Sequence, residues 1–366
     1  MEKYYIAVIS AAQHVGSASV KRLLNFFGSA KLVWAAEQGD LEKAGLNKNA
    51  VQSFLEFRQK NPDAPEKLIE YCDEQNVGLC SIVDEDYPPL LKETQQPPPV
   101  FYYYGEIEPF AKRIAIVGTR NNSSYGKSVA LEIAEGLSAA GITIVSGAAR
   151  GIDTFAHEGA MKCGRTVAVL GCGIGYAYKT SNKDLIKRIS ENGLVMTDFN
   201  PGQRPSKETF PPRNRIIAGL SRGVIVVEAG KKSGALITCE YAGDYGRDVF
   251  AVPGDIFSPK SYGCNELIRD QATLIRSAED VLEFYDWQIN SDTEKKSAAD
   301  DNTKISQLEG VERKIFDAIP SGDFISVDEI LMTVEDVSPE EISSVMLNLE
   351  LKNFIVEEDG RYRRDR

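Results

Sequence analysis

The chain has 366 residues, 42% hydrophobic and 26% charged, with a formal net charge of −12. This is the composition of an ordinary soluble globular protein, long enough for about two or three domains. It excludes a membrane span, because no apolar run approaches the roughly 18 residues that requires, and it argues against binding a polyanion by bulk charge. The opening MEKYYIAVISAAQ carries Glu2 and runs into helical patterning, so secretion is not expected. Six cysteines form no CxxC pair and only two histidines are present. A zinc site or disulfide framework is therefore not expected, and the thiols read as buried and reduced in the cytoplasm.

The charge is unevenly distributed. Residues 110–280 hold 22 Lys and Arg against 17 Asp and Glu, whereas residues 1–109 hold 10 against 16 and residues 281–366 hold 10 against 21. A mildly basic centre between acidic flanks is compatible with a local polyanion site.

Residues 1–75 read as short helices separated by small-residue turns. Val20, Leu23, Leu24 and Phe27 fall at helical spacing, and Gly28-Ser29 and Gly45-Leu46-Asn47 break the pattern. Helix–glycine turn–helix units of this kind suit a helix-hairpin-helix or SAM-like domain. Its acidic balance favours packing or protein interaction over DNA contact. From residue 76 the stretches with prolines at 88–89 and 97–99 cannot continue a helix, and Val100 to Gly105 has strand character, expected at a sheet edge.

From Arg113 onward, apolar strands alternate with helices. Strands are expected at 114–117, 142–145, 166–170, 194–197, 224–227, 249–252 and 273–275, with helices at 123–140, 152–163 and 183–191. This alternation predicts an α/β domain over 76–285 built on a doubly wound parallel sheet, with ligands at the carboxyl ends of its strands. Residues 286–307 are polar and read as a flexible linker. Residues 308–366 resume order. Three helices, one opened by Ser338-Pro339-Glu340-Glu341, and a terminal hairpin make a winged-helix plan.

The strand ends carry the candidate chemistry. Gly118-Thr119-Arg120, Ser146-Gly147-Ala148-Ala149-Arg150-Gly151, Gly171-Cys172-Gly173 and Glu228 to Gly234 each follow a strand. The stretch Phe210-Pro211-Pro212-Arg213-Asn214-Arg215 leads through a helix-like run from Ile216 into the strand at 224–227. None of these is a nucleotide motif. The dinucleotide fingerprint fails because Tyr176 stands where its last glycine belongs, and the P-loop fails because Asn121 stands where its first one does. Asp153 reads as a helix cap, and His157 as a core contact or a residue at the ligand edge. What remains is a ring of small-residue turns with Arg120, Arg150, Lys179, Arg204, Arg213, Arg215 and Lys231, flanked by Tyr176, Tyr178 and Phe210. Backbone N–H nests and Arg forks suit several phosphates in a row, and aromatics beside them suit stacked bases. An enzyme acting on one small phosphate ligand, with Glu228 or Asp153 as acid–base, is the alternative.

The ordered motifs VGTR (117–120), SGAARGID (146–153), FPPRNRIIAGLS (210–221), SGALIT (233–238) and GRDVFAVPG (246–254) resemble the DNA-processing protein A (DprA/Smf) family, and the likeness runs along essentially the whole chain. The resemblance implies an extended Rossmann-like domain between a SAM-like and a winged-helix domain. It implies a non-catalytic protein without cofactor that binds single-stranded DNA and dimerises through the Rossmann-like domain. It also implies loading of a RecA-type recombinase onto incoming DNA in natural transformation, including strands covered by single-strand-binding protein. By motif match, Gly118, Thr119, Arg120, Phe210, Arg213, Asn214 and Arg215 would line the DNA pocket. Ser146, Gly147, Arg150, Ser233 and Gly234 would border it. Lys179 would stand in for a family lysine at a shifted position, and Arg204 joins the basic rim.

Overall fold

The computed structural model describes residues 1–206, 208–287, 308, 310–320, 324–334, 337–352, 354–358 and 360–364. Most of the expected linker, from residue 288 on, lies outside the described residues. The chain divides into two compact units, Met1–Gln288 and Ile289–Arg366.

The first unit opens with six helices: α1 (Glu2–Ser10), α2 (Ser17–Phe27), α3 (Ala30–Ala35), α4 (Gln38–Lys43), α5 (Lys48–Lys60) and α6 (Ala64–Glu74). Then follow β1 (Gly78–Ser81), α7 (Pro89–Lys92), β2 (Val100–Gly105), β3 (Arg113–Val117), α8 (Ser124–Ala139), β4 (Thr143–Ser146) and α9 (Ile152–Cys163). The chain continues through β5 (Thr166–Val169), a 3-10 turn (Ile174–Lys179), α10 (Lys183–Asn192), β6 (Leu194–Thr197), α11 (Phe210–Leu220) and β7 (Gly223–Val226). The unit ends with α12 (Gly234–Asp244), β8 (Asp248–Ala251), α13 (Tyr262–Arg269), β9 (Thr273–Leu274) and α14 (Ala278–Phe284).

One nine-stranded sheet has the order β1-β2-β6-β5-β4-β3-β7-β8-β9. The run from β6 to β9 is parallel, and β1 and β2 add an antiparallel edge. Side chains along β3 alternate between two cores. Ile114 and Ile116 pack with Ile133, Leu137 and Ala156 of α8 and α9. Ala115 and Val117 pack with Ile216, Ile217 and Ala235 of α11 and α12. The sheet is thus covered on both faces, which is why its strands read as continuous apolar runs. The strand order reverses at β3, with β4 on one side and β7 on the other, so the switch point of the fold lies at the carboxyl end of β3.

The amino-terminal helices do not keep a core to themselves. Ile6, Leu23, Val33 and Phe54 share one buried cluster with Tyr102, Ala168, Ile186 and Val195 of the sheet and its helix α10. Burial of both partners' apolar faces in one core makes residues 1–75 and the sheet a single packed body.

The second unit contains α15 (Gly310–Ala318), β10 (Ile325–Ser326), α16 (Val327–Thr333), α17 (Pro339–Leu351), β11 (Ile355–Glu358) and β12 (Arg361–Arg364). The three strands pair in the order β10-β12-β11 beside the helices, the winged-helix plan. Ser326 and Glu329 form a reciprocal capping box on α16, and the Ser338 hydroxyl accepts from Glu341 N on α17.

Candidate nucleic-acid interface

A cavity of about 300 Å³ opens at the switch point. Gly118, Thr119 and Arg120 form one wall, Phe210, Arg213 and Asn214 a second, and Ser233 and Gly234 at the start of α12 a third.

The first wall is held by close backbone approach. A Cβ at Gly118 would lie 2.6 Å from the Ile152 side chain, so only glycine lets α9 pack against the end of β3. Thr119 N donates to Glu228 O at 2.8 Å and Thr119 O accepts from Ile152 N at 3.2 Å. Both main-chain groups of Thr119 are therefore spent on the scaffold, and Arg120 is held at the rim. The Arg120 side chain is exposed and makes no hydrogen bond or ion pair among the described residues. Its guanidinium lies 4.4 Å from the centroid of the Phe210 ring.

The second wall is the first turn of α11. The helix begins at Phe210, six residues before the expected Ile216, with both prolines in its first turn, where a missing N–H costs nothing. Arg213 points inward from this turn and is only 4% exposed. Its guanidinium donates to Gly147 O at 2.6 Å and to Val169 O, and its Nε donates to Asn214 Oδ1 at 3.1 Å. Asn214 Nδ2 then donates to Gly234 O at 3.1 Å. This chain of bonds ties the ends of β4 and β5 to α11 and the start of α12. Burial lowers the Arg213 pKa and raises that of Asp153, and the attraction between the two opposes both shifts.

The third wall is the start of α12. Ser233 Oγ accepts from Ala235 N at 3.3 Å, and a Cβ at Gly234 would meet nothing within 4 Å. Ser233, Gly234 and Ala235 line the cavity, so the positive end of the α12 dipole lies beside it, a favourable place for an anion.

The loop from Ser146 to Gly151 supports the site from behind. Ala148 adopts φ +50°, uncommon for a residue with a Cβ. Three side chains hold it there. His157 Nε2 accepts from Ala148 N at 3.3 Å, Asn182 Nδ2 donates to Ala148 O at 3.0 Å, and Asp153 Oδ2 accepts from Ala149 N at 3.4 Å. Thr166 Oγ1 gives its proton to Ile144 O and so accepts from His157 Nδ1 at 2.7 Å. The ring is therefore neutral with its proton on Nδ1, and burial pushes its pKa down to about 3.

The sequence-derived candidates separate accordingly. Gly118, Thr119, Arg120, Phe210, Arg213, Asn214, Ser233 and Gly234 meet around the cavity. Ser146 is buried and donates to Ile116 O at 2.6 Å, and Gly147 lies against the Arg213 guanidinium. Arg150 is exposed on the loop before α9. Lys179 and Arg204 form a second cation–aromatic cluster. Lys179 Nζ lies 5.1 Å from the Tyr176 ring centroid, and Arg204 Nε donates to Tyr176 OH at 3.2 Å. Gly171, just after β5, packs against the first cluster, where a Cβ would lie 2.9 Å from the Phe210 ring.

Arg215, expected as a second fork in the pocket, does not line it. Two residues along a helix turn the side chain through roughly 200°, so Arg215 leaves on the far side of α11. There it pairs with Asp198 and donates to Gln96 O at 2.6 Å. Two features escaped the sequence reading. Asp153 lines the cavity beside Arg213, and Glu228 is bonded to a residue 105 positions away, which no local pattern reveals.

The parallel sheet and its switch point, with a cavity at the carboxyl end of β3, define a Rossmann-like α/β protein. The DNA recombination-mediator protein A family model matches residues 78–286, and the chain belongs to that family. It is 44% identical over 209 residues to the DNA processing protein DprA of Streptococcus pneumoniae, covering 57% of this chain and 74% of the relative. It is 37% identical over 288 residues to Protein Smf of Synechocystis, covering 77% and 72%. The solved S. pneumoniae structure matches with a TM-score of 0.68 at 36% identity, over 77% of this chain and 98% of that one. DNA processing protein A from Helicobacter pylori, solved for its unique single-stranded DNA binding mode, matches with a TM-score of 0.52 at 27% identity, over 58% and 97%. Among the described residues no helix is long and apolar enough to cross a membrane.

Proposed function

We propose that this chain is a single-stranded DNA-binding recombination mediator. The observation that carries the reading is the pairing of Arg120 with Phe210 at the rim of a cavity faced by the open start of α12. A cation without an ion pair among the described residues, the positive end of a helix dipole behind it and an aromatic ring beside it match a phosphate followed by a base. The Lys179–Tyr176–Arg204 cluster offers the same combination for the next nucleotides. The Helicobacter pylori relative, described as binding single-stranded DNA, supports the same ligand for this chain. In the finer reading the protein dimerises through its Rossmann-like unit and works in the cytoplasm without chemical turnover. It loads a RecA-type recombinase onto incoming strands during natural transformation, including strands covered by single-strand-binding protein. The winged-helix unit serves protein contact.

Small-phosphate hydrolysis finds little support in the same geometry. Glu228 is engaged with Ser123, Asp153 with the loop before α9, and His157 is buried and neutral. Fluorescence anisotropy with an oligo-dT strand tests the proposal. Binding that tightens as salt is lowered is expected. No binding at low salt, or steady turnover of a nucleoside monophosphate that Glu228→Gln abolishes, would refute it.

A further inference from the structure

In a Rossmann-like sheet the helix after the first parallel strand commonly offers its N-terminus to a nucleotide pyrophosphate. Here that helix is α8, a 16-residue helix starting at Ser124 beside the switch point. We propose that Glu228 is a specificity-determining residue whose carboxylate occupies the anion position at the start of α8 and closes it to nucleotide phosphates. The side chain comes from the end of β7 and is 3% exposed. Glu228 Oε2 accepts from Ser123 N at 2.9 Å, and Oε1 accepts from Ser123 Oγ at 2.5 Å. Ser123 Oγ in turn accepts from Gly126 N at 3.0 Å. The carboxylate lies so close against the first turn that a Cβ at Gly126 would have no room.

The internal carboxylate therefore does what a bound phosphate does in a nucleotide enzyme. It takes both the N–H and the hydroxyl of the N-cap residue Ser123, whose oxygen in turn caps Gly126 N, and it balances the positive end of the helix dipole. The main chain of the same residue accepts from Thr119 N at 2.8 Å, which also shapes the loop carrying Arg120. An incoming phosphate is thereby displaced from α8 to the neighbouring opening at Arg120 and α12. That opening communicates with the surface and suits a continuous strand better than a mononucleotide.

The test is anion rescue in the full-length chain by calorimetry. Glu228→Ala vacates the position, and its Tm in sodium chloride should fall by about 5 °C. Millimolar pyrophosphate at matched ionic strength should restore most of that loss while moving the wild-type Tm far less. Adding Ser123→Ala should remove the excess response. Glu228→Gln keeps the shape and loses the charge, and its Tm should fall by about 3 °C. Equal responses of variant and wild type to pyrophosphate, or a Glu228→Ala protein insoluble in both salts, would overturn the proposal. So would a Glu228→Gln Tm equal to wild type. No DNA enters the readout, so failure of strand binding would count against the proposed function and leave this result standing.

Discussion

The Arg120→Ala substitution separates binding from folding most sharply. The side chain is exposed, and its guanidinium stacks on Phe210, 4.4 Å from the ring centroid. Removing a solvent-exposed cation–π contact costs about 0.5–1 kcal/mol of folding stability. The Tm of the first unit should therefore shift by roughly 2 °C. In the proposed complex the same guanidinium would make a charge-assisted contact worth about 1.5–3 kcal/mol. The dissociation constant should rise by roughly 10- to 150-fold. Each phosphate contact also releases counterions, so the slope of log K against log salt should become shallower by about 0.7. Anisotropy titrations with oligo-dT across a sodium chloride series, beside calorimetry of the free protein, measure all three quantities. Unchanged affinity at low salt would refute the reasoning. A weakened complex that keeps the wild-type salt slope would show that Arg120 acts on something other than a phosphate.

The remaining predictions are read by the same anisotropy assay or by urea unfolding. Arg213→Ala should lower folding stability by about 3 kcal/mol or more in urea, because it strips Gly147 O and Val169 O of a donor and leaves Asp153 buried without its counter-charge. Phe210→Ala should weaken strand binding by about 1–3 kcal/mol without changing the salt slope, whereas Phe210→Trp should retain most of the affinity. The folded pKa of His157 lies at about 3, below the ordinary value of 6.5, so the unfolded chain binds the extra proton first as pH falls. Its contribution is complete above the unfolded pKa and is lost downward at up to about 1.4 kcal/mol per pH unit. The stability difference between wild type and His157→Gln should shrink accordingly between neutral pH and pH 5 or so. Deleting residues 300–366 should leave single-strand affinity nearly intact, because the acidic unit opposes contact with phosphates.

The sheet was legible in the sequence because its strands are buried on both faces and read as unbroken apolar runs. The expected strand at 224–227 is observed as Gly223–Val226, a one-residue displacement that leaves its place in the sheet unchanged. The glycine turns at the strand ends were legible for a similar reason: Gly118 and Gly151 stand where backbone segments meet without space for a side chain. The start of α11 was not legible. Pro211 and Pro212 read as a break before a helix at Ile216, yet proline is equally at home in a helix's first turn. That error carried a consequence, since an extended Arg213-Asn214-Arg215 segment could turn both arginines to one ligand and a helix cannot. The shared core of the amino-terminal helices and the role of Glu228 depend on contacts between distant segments. Periodicity and local spacing carry no record of such pairs.

Arg120, Arg213 and Arg215 show why net charge misleads in this chain. Arg215 is balanced by Asp198 on the far side of α11. Arg213 is turned inward, its donors spent on main-chain carbonyls and its charge shared with Asp153. Arg120 alone of the three keeps its donors for the rim. A count of basic residues weights all three equally, but the field at the mouth of the cavity does not. A paired charge contributes a dipole that fades quickly, whereas an unpaired one beside a low-dielectric wall and a helix start projects into the opening. Lys179 and Arg204, also without ion pairs among the described residues, extend that field along the carboxyl edge of the sheet. A chain of net charge −12 can therefore hold a polyanion along one short path. The acidic remainder of its surface would repel the same polyanion elsewhere, which would confine a strand bound as proposed to that path.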